Sequence, residues 1–188
     1  ALAHDVGRAI RRVAPDEWFV GPATSRFDWP FLERCFEEGL LDVFDAVTIH
    51  PYRHEEPETV APDWNGLRRL IASHTTRDVP LLSGEWGYSE RFAGQSAAKQ
   101  ALYAQRQYLA NLASGVGLSI WYDWRNDGPS PTEIEHHFGT VDLQMRPKPA
   151  YHAIRDLARQ LAGTRFDRKL LGGRYVFAGP SPKVVVVS

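Results

Sequence analysis

The chain has 188 residues, a formal net charge of −1 and an aromatic share of 12 % with six tryptophans, enough apolar material for one well-buried core and too much for a disordered segment. Near-neutral charge without a long lysine or arginine run excludes the electrostatic footprint of a nucleic-acid binder. No apolar stretch approaches the roughly 20 residues of a membrane-spanning helix, and the lone Cys35 offers neither an intramolecular disulfide nor a CxxC metal spacing.

Val6, Ile10 and Val13 recur at helical spacing over residues 3–13, and Pro15-Asp16 stops that helix. A strand is predicted over 18–20, ending in Gly21-Pro22. Asp28 is an N-cap candidate for a helix that opens with Trp29-Pro30, buries Cys35 and stops at Gly39. A second strand over 43–49 ends in His50-Pro51-Tyr52. The polar loop that follows, with Glu55, Glu56 and Glu58 read as a solvated face, leads to a helix through Leu67, Leu70 and Ile71. Leu81 and Leu82 form a third strand, and Gly84 and Gly87 let the chain turn where the Glu85 carboxylate emerges. A long helix over 96–113 ends at Gly115 and Gly117, a fourth strand spans 118–122, and a helix over 150–161 closes at Gly163.

The order is thus a helix followed by four strand–helix units, which implies parallel strands with right-handed crossovers. Such a pattern suits an open doubly wound sheet or a (βα) barrel. The glycine-rich phosphate turn of the open sheet, GxGxxG or GxxxxGK[ST], does not occur here. Polar and aromatic residues gather just after the strands instead: Ser25 and Arg26, His50 and Tyr52, Glu85 and Trp86, and 121–124. Barrel active sites are assembled from strand C-termini in this way.

Three of these strand ends, Thr48-Ile-His-Pro-Tyr52, Ser83-Gly-Glu-Trp-Gly87 and Ser119-Ile-Trp-Tyr-Asp-Trp124, resemble the sixth, seventh and eighth strand ends of the clan A retaining glycoside hydrolases. The resemblance implies a (βα)4 half of a TIM barrel over residues 1–163, strands five to eight of the full α/β fold. It implies Glu85 as the nucleophile, Tyr52 as the hydroxyl that orients it, and His50, Trp86, Trp121 and Trp124 as carbohydrate-binding residues, with no metal and no cofactor. A phenol donating to a carboxylate holds it ionised, and flat aromatic faces suit the C–H face of a pyranose.

The clan's acid/base glutamate ends the fourth strand after an asparagine, and no Asn-Glu dipeptide occurs in this chain. The chain is therefore expected to be the C-terminal half, beginning on the helix after that strand. A half barrel leaves two open strand edges, so a second copy or a separate N-terminal half barrel is expected to cover them. In a dimer closed about a two-fold axis, Asp123 of one copy is the candidate acid for Glu85 of the other; alone it reads as a structural carboxylate. His136-His137 has no third ligand in view and reads as a solvated pair. Residues 164–188 form a separate tail, with two strands over 174–178 and 183–187 around Gly179-Pro-Ser-Pro182 predicting a β-hairpin. Three function classes follow: the nucleophile-bearing half of a glycoside hydrolase, a non-catalytic carbohydrate-binding module, and a self-assembling half-barrel unit.

Overall fold

The four predicted strands of the first 163 residues pair in parallel in the order in which they occur. A computed structural model describes residues 2–186; Ala1 of the expected half barrel, and Val187 and Ser188 of the expected tail, lie outside the described residues. The elements are α1 (Leu2–Val13), β1 (Val20–Ser25), α2 (Trp29–Glu37), β2 (Ala46–His50), α3 (Ala61–His74), β3 (Leu81–Trp86), α4 (Ala97–Ala113), β4 (Leu118–Trp121), α5 (Pro149–Leu161), and then β5 (Arg165–Leu170), β6 (Arg174–Ala178) and β7 (Lys183–Val186). The first four strands form one parallel sheet in the order β1-β2-β3-β4, and the last three form an antiparallel sheet in the order β5-β6-β7.

Several boundaries differ from expectation for local reasons. β1 does not stop at Gly21-Pro22 but runs through it to Ser25. As an edge strand it tolerates a proline, which cannot donate to a ladder, and the register against β2 shifts between Pro22 and Thr24. Gly21 makes room for the Phe44 ring, whose Cζ would stand 2.5 Å from an added Cβ. β2 begins at Ala46 because residues 40–42 form a 3-10 turn and Asp45 is used as an anchor. The Asp45 carboxylate accepts from the Phe19 N–H at 2.7 Å and pairs with Arg11, which holds it below the usual carboxylate range. The N-cap of α2 is as expected, with the Asp28 side chain accepting from the Phe31 N–H.

One face of the parallel sheet packs under α2, α3 and α4 in a core that includes Leu32, Phe36, Val47, Ile49, Trp64, Leu67, Leu81 and Trp86. Cys35 is buried there as well. Ser119 accepts from Asn111 of α4 at 2.8 Å, so it faces the helices. Its neighbours Leu118 and Ile120 therefore face the other way, and each is 48 % exposed. Both outer strands of this sheet, β1 and β4, pair on one side only.

The tail holds the expected hairpin, β6-β7, and adds a third strand, β5, on the free side of β6. β5 was not anticipated: with Arg165, Asp167, Arg168 and Lys169 it has little apolar alternation, and four of its six residues are exposed. The sheet is held from one side: Tyr175, Phe177 and Val185 pack on Leu109 of α4 and Leu157 of α5. Glu56 and Glu58, expected to be merely solvated, both pair with Arg106 of α4, and the Tyr175 hydroxyl reaches Glu58 at 3.5 Å.

Candidate active site

Glu85 lies inside β3 and not after it. Between Ser83 and Trp86 the register of β3 slips against β4, three residues spanning what two cover from Ser119 to Trp121. Such a bulge re-aims side chains, since it breaks the strict alternation of a strand. Ser83 and Trp86 are fully buried against the helices, while Gly84 and Glu85 between them are not. Gly84 is needed for close approach rather than for a turn: a Cβ there would stand 2.4 Å from Thr48 Oγ1 and 3.3 Å from His50 Nε2.

The carboxylate so presented meets the end of β2. The Tyr52 hydroxyl donates to Glu85 Oε1 at 2.7 Å, and His50 Nδ1 lies 3.8 Å from Oε2. The Glu85 side chain nonetheless remains 37 % exposed. It opens on a cleft of about 520 Å³ whose walls include Ser25, Arg26, Arg53, His54, Phe92, Tyr122, Glu135 and Phe138. Burial, and then the hydrogen bond to Glu85, push the Tyr52 phenol far above its ordinary value, so it remains a donor. Its ring is fixed edge-on by Tyr122 and Phe138, with centroids at 6.4 and 6.3 Å.

The tryptophans are placed otherwise than expected. Trp86 is fully buried on the helix side of the bulge and offers no face to the Glu85 cleft. Trp121 lies on the same side of β4 as Ser119; its indole N–H donates to the Phe138 carbonyl at 3.2 Å. With Asp123 and Trp124 it lines a different cleft, of about 400 Å³, where Trp124 meets the Tyr151 ring at 6.0 Å. The aromatic residue that this segment sends into the Glu85 cleft is Tyr122. Asp123 is drawn toward its protonated form by burial and by a hydrogen bond with Asp127.

Sequence reading missed Tyr122, Glu135 and Phe138. Phe138 and Glu135 sit on a loop with no periodicity, held by distant groups. The buried Gln100 side chain donates to the carbonyls of Tyr88 at 2.7 Å and His137 at 3.0 Å. Lys148 donates to Asn126 Oδ1 at 3.1 Å and to the His137 carbonyl at 3.3 Å. His137 is not solvated: it is buried, with Nδ1 3.3 Å from Glu90 and Nε2 2.8 Å from the Ser130 carbonyl. His136 Nδ1 accepts from the Ser130 N–H. Among the described residues, no group of three or more His, Cys, Asp and Glu side chains could hold a metal ion.

Burial is the first cause raising the phenols of Tyr52, Tyr88, Tyr103, Tyr108, Tyr122 and Tyr175, the last two to about 12. A folded-state pKa above the unfolded value stabilises the fold fully below the unfolded value, about 10 for tyrosine, and that contribution is lost as pH rises. Stability should therefore fall above about pH 10, with tyrosinate absorbance appearing together with loss of circular dichroism. Ionisation of these tyrosines with an intact native spectrum would contradict the burial described.

No protein-family model and no curated protein sequence matches the chain. Solved structures do. A family 39 glycoside hydrolase from the gut symbiont Bacteroides cellulosilyticus WH2 superposes with a TM-score of 0.82 at 25 % identity, over 95 % of this chain and 41 % of that one. The chain is similar to part of a family 39 glycoside hydrolase. A family 39 β-xylosidase from Caulobacter crescentus gives a TM-score of 0.64 at 22 % identity, over 95 % of this chain and 42 % of that one. A glucosidase from Croceicoccus marinus gives 0.71 at 16 %, over 95 % and 40 %. These last two speak to the fold alone. This glycoside hydrolase-related chain spans about two fifths of the length of the structures it matches, and its parallel sheet is a (βα)4 portion of their TIM-barrel-like fold.

Proposed function

We propose that the chain is the nucleophile-bearing half of a retaining glycoside hydrolase, strands five to eight of the barrel, acting on a carbohydrate. The observation that carries this is the 2.7 Å bond from Tyr52 to a Glu85 carboxylate that still opens on a cleft. In the first step a Glu85 oxygen attacks the anomeric carbon as the bond to the leaving oxygen breaks, and an acid supplies that oxygen with a proton. Water then cleaves the glycosyl ester. Tyr52 orients the nucleophile, His50 borders it, and Tyr122 takes the aromatic place in the cleft that Trp86 and Trp121 do not occupy. Trp124 could meet a sugar only outside this cleft.

The acid is the missing part, and alone the chain is weak or inactive on ordinary glycosides. The other four βα units, on a second copy or on a separate N-terminal half barrel, would cover the open edges of β1 and β4. Exposed Val20, Leu118 and Ile120 support such a cover. In a dimer, Asp123 of the second copy is the candidate acid.

Covalent capture tests the nucleophile. Incubation with 2,4-dinitrophenyl 2-deoxy-2-fluoro-β-glycosides of xylose and glucose should add one glycosyl mass to the chain, on the peptide that carries Glu85. The adduct should be absent in Glu85→Gln. A chain that binds these sugars and is never labelled would be a carbohydrate-binding unit instead.

A further inference from the structure

The Glu85 cleft does not end at Tyr52. A second depression of about 280 Å³ shares Arg26, Tyr52, Arg53 and His54 with it and continues over Phe27 and Trp29. The two adjoin across these four shared residues, which form a waist between them.

The floor beyond the waist is a rigid aromatic stack. The Trp29 and Phe27 rings lie nearly parallel, with centroids 5.4 Å apart and 24° between planes. Phe27 in turn stands edge-on to the fully buried Trp64 at 5.0 Å. An added Cβ on Gly66 would stand 3.0 Å from Trp29 Cη2, so the indole lies directly against the α3 backbone. Trp29 is fixed at the first turn of α2 by the Asp28 cap and Pro30, yet it keeps 37 % of its surface exposed. A tryptophan serving only the core would be covered, as Trp64 is.

The waist carries two guanidinium donors, Arg26 with its backbone held and Arg53 with its side chain held. Arg26 has a left-handed backbone, φ 59°, which an arginine rarely adopts. Its N–H donates to the His50 carbonyl at 2.7 Å and its carbonyl accepts from Thr24 Oγ1 at 2.9 Å. Arg53 is pinned by Asp63 at 3.0 Å and by Thr59 at 3.1 Å. An outlying backbone beside a cleft is where strain serves a ligand, and guanidinium forks suit sugar hydroxyls, which accept as well as donate.

The geometry points to a second glycosyl-binding site, with Trp29 as its platform and Arg26 at the junction, so that the ligand is an oligosaccharide continuing past the sugar at Glu85. This rests on the glycosidase reading of the Glu85 cleft. An aromatic face under a further sugar ring adds apolar contact and C–H attraction to the ring's negative face.

Isothermal titration of the chain with xylose and xylobiose, and with glucose and cellobiose, tests it. In one pair at least, the disaccharide should bind about tenfold more tightly than its monosaccharide. Trp29→Ala should bring that ratio close to one, and Trp29→Phe, which keeps an aromatic face, should restore part of it; circular dichroism confirms that each variant is folded. Equal affinity for the two members of both pairs, or a length advantage that survives in folded Trp29→Ala, overturns the proposal. If Glu85 is still labelled covalently but no disaccharide advantage exists, the second site fails while the nucleophile stands. If neither labelling nor sugar binding occurs, the reading beneath both is lost.

Discussion

Dinitrophenyl glycosides should react with the isolated chain about 10²- to 10⁴-fold faster, relative to alkyl glycosides of the same sugar, than they do with a complete two-carboxylate enzyme. The reason lies in what this chain holds. Glu85 is aimed by a bulge, hydrogen-bonded by Tyr52 at 2.7 Å and open to a cleft, so the attacking half of the reaction has its group in place. A dinitrophenolate departs without a proton, whereas an alkoxide needs one, and a positioned acid is worth that factor. Initial rates across a series of leaving groups measure the slope, and Glu85→Gln should remove turnover of every member. Two outcomes would relocate the acid. Glu135 lines the same cleft and helps raise the Tyr52 and Tyr122 phenols. A flat leaving-group series that steepens in Glu135→Gln would put the acid within one copy. A flat series whose rate grows with the square of protein concentration and is lost in Asp123→Asn would put it across a dimer.

How far the sequence showed this site depends on whether a feature is local. His50, Tyr52 and Glu85 stand at strand ends, and turn chemistry marks strand ends: Pro51 after His50, glycines on either side of Glu85-Trp86. The structure brings these three together. Which way each tryptophan points was not legible, because it depends on pairing. Without the slip between Ser83 and Trp86, strict alternation would bring Gly84 and Trp86 to the face opposite Glu85; the slip leaves Gly84 and Glu85 together and turns only Trp86 to the helices. At β4 there is no such slip before Trp121, so Ser119 and Trp121 share the helix side and Tyr122 enters the cleft. The loop carrying Glu135 and Phe138 has no internal pattern at all. Its shape is set by Gln100 and Lys148, which stand on other parts of the chain. β5 failed for a different reason: only Phe166 and Leu170 of its six residues are less than exposed, so it has almost no apolar alternation to read.

Gly87→Ala should be among the most destabilising single substitutions in this chain. Gly87 follows the bulge and stands between Trp86 and Tyr88, both fully buried. A Cβ there would lie 1.7 Å from the Tyr122 carbonyl oxygen, 2.8 Å from its carbon and 3.2 Å from Phe138 Cδ1. The first two are backbone atoms, so no side chain can swing aside. Nor can the backbone yield freely: the Tyr122 N–H donates to the Trp86 carbonyl at 3.1 Å and ties the end of β4 to β3. Relief requires that bond to break and Phe138 to leave the Tyr52 ring. Overpacking a site this rigid costs about 3 kcal/mol or more, a large share of the roughly 5–15 kcal/mol that keeps a domain folded. Gly117→Ala is the matched control, because nothing lies within 4 Å of its added Cβ, and its effect should stay within about 0.5 kcal/mol. Urea unfolding followed by circular dichroism gives both midpoints, and a common slope shows that stability itself has changed. The same displacement should loosen Tyr122 and Phe138 around Tyr52, so the fraction of Gly87→Ala that remains folded should be labelled at Glu85 more slowly than the parent chain. Equal midpoints for the two variants would mean that the ends of β3 and β4 do not approach as closely as described, and the placement of Tyr122 in the cleft would fall with them.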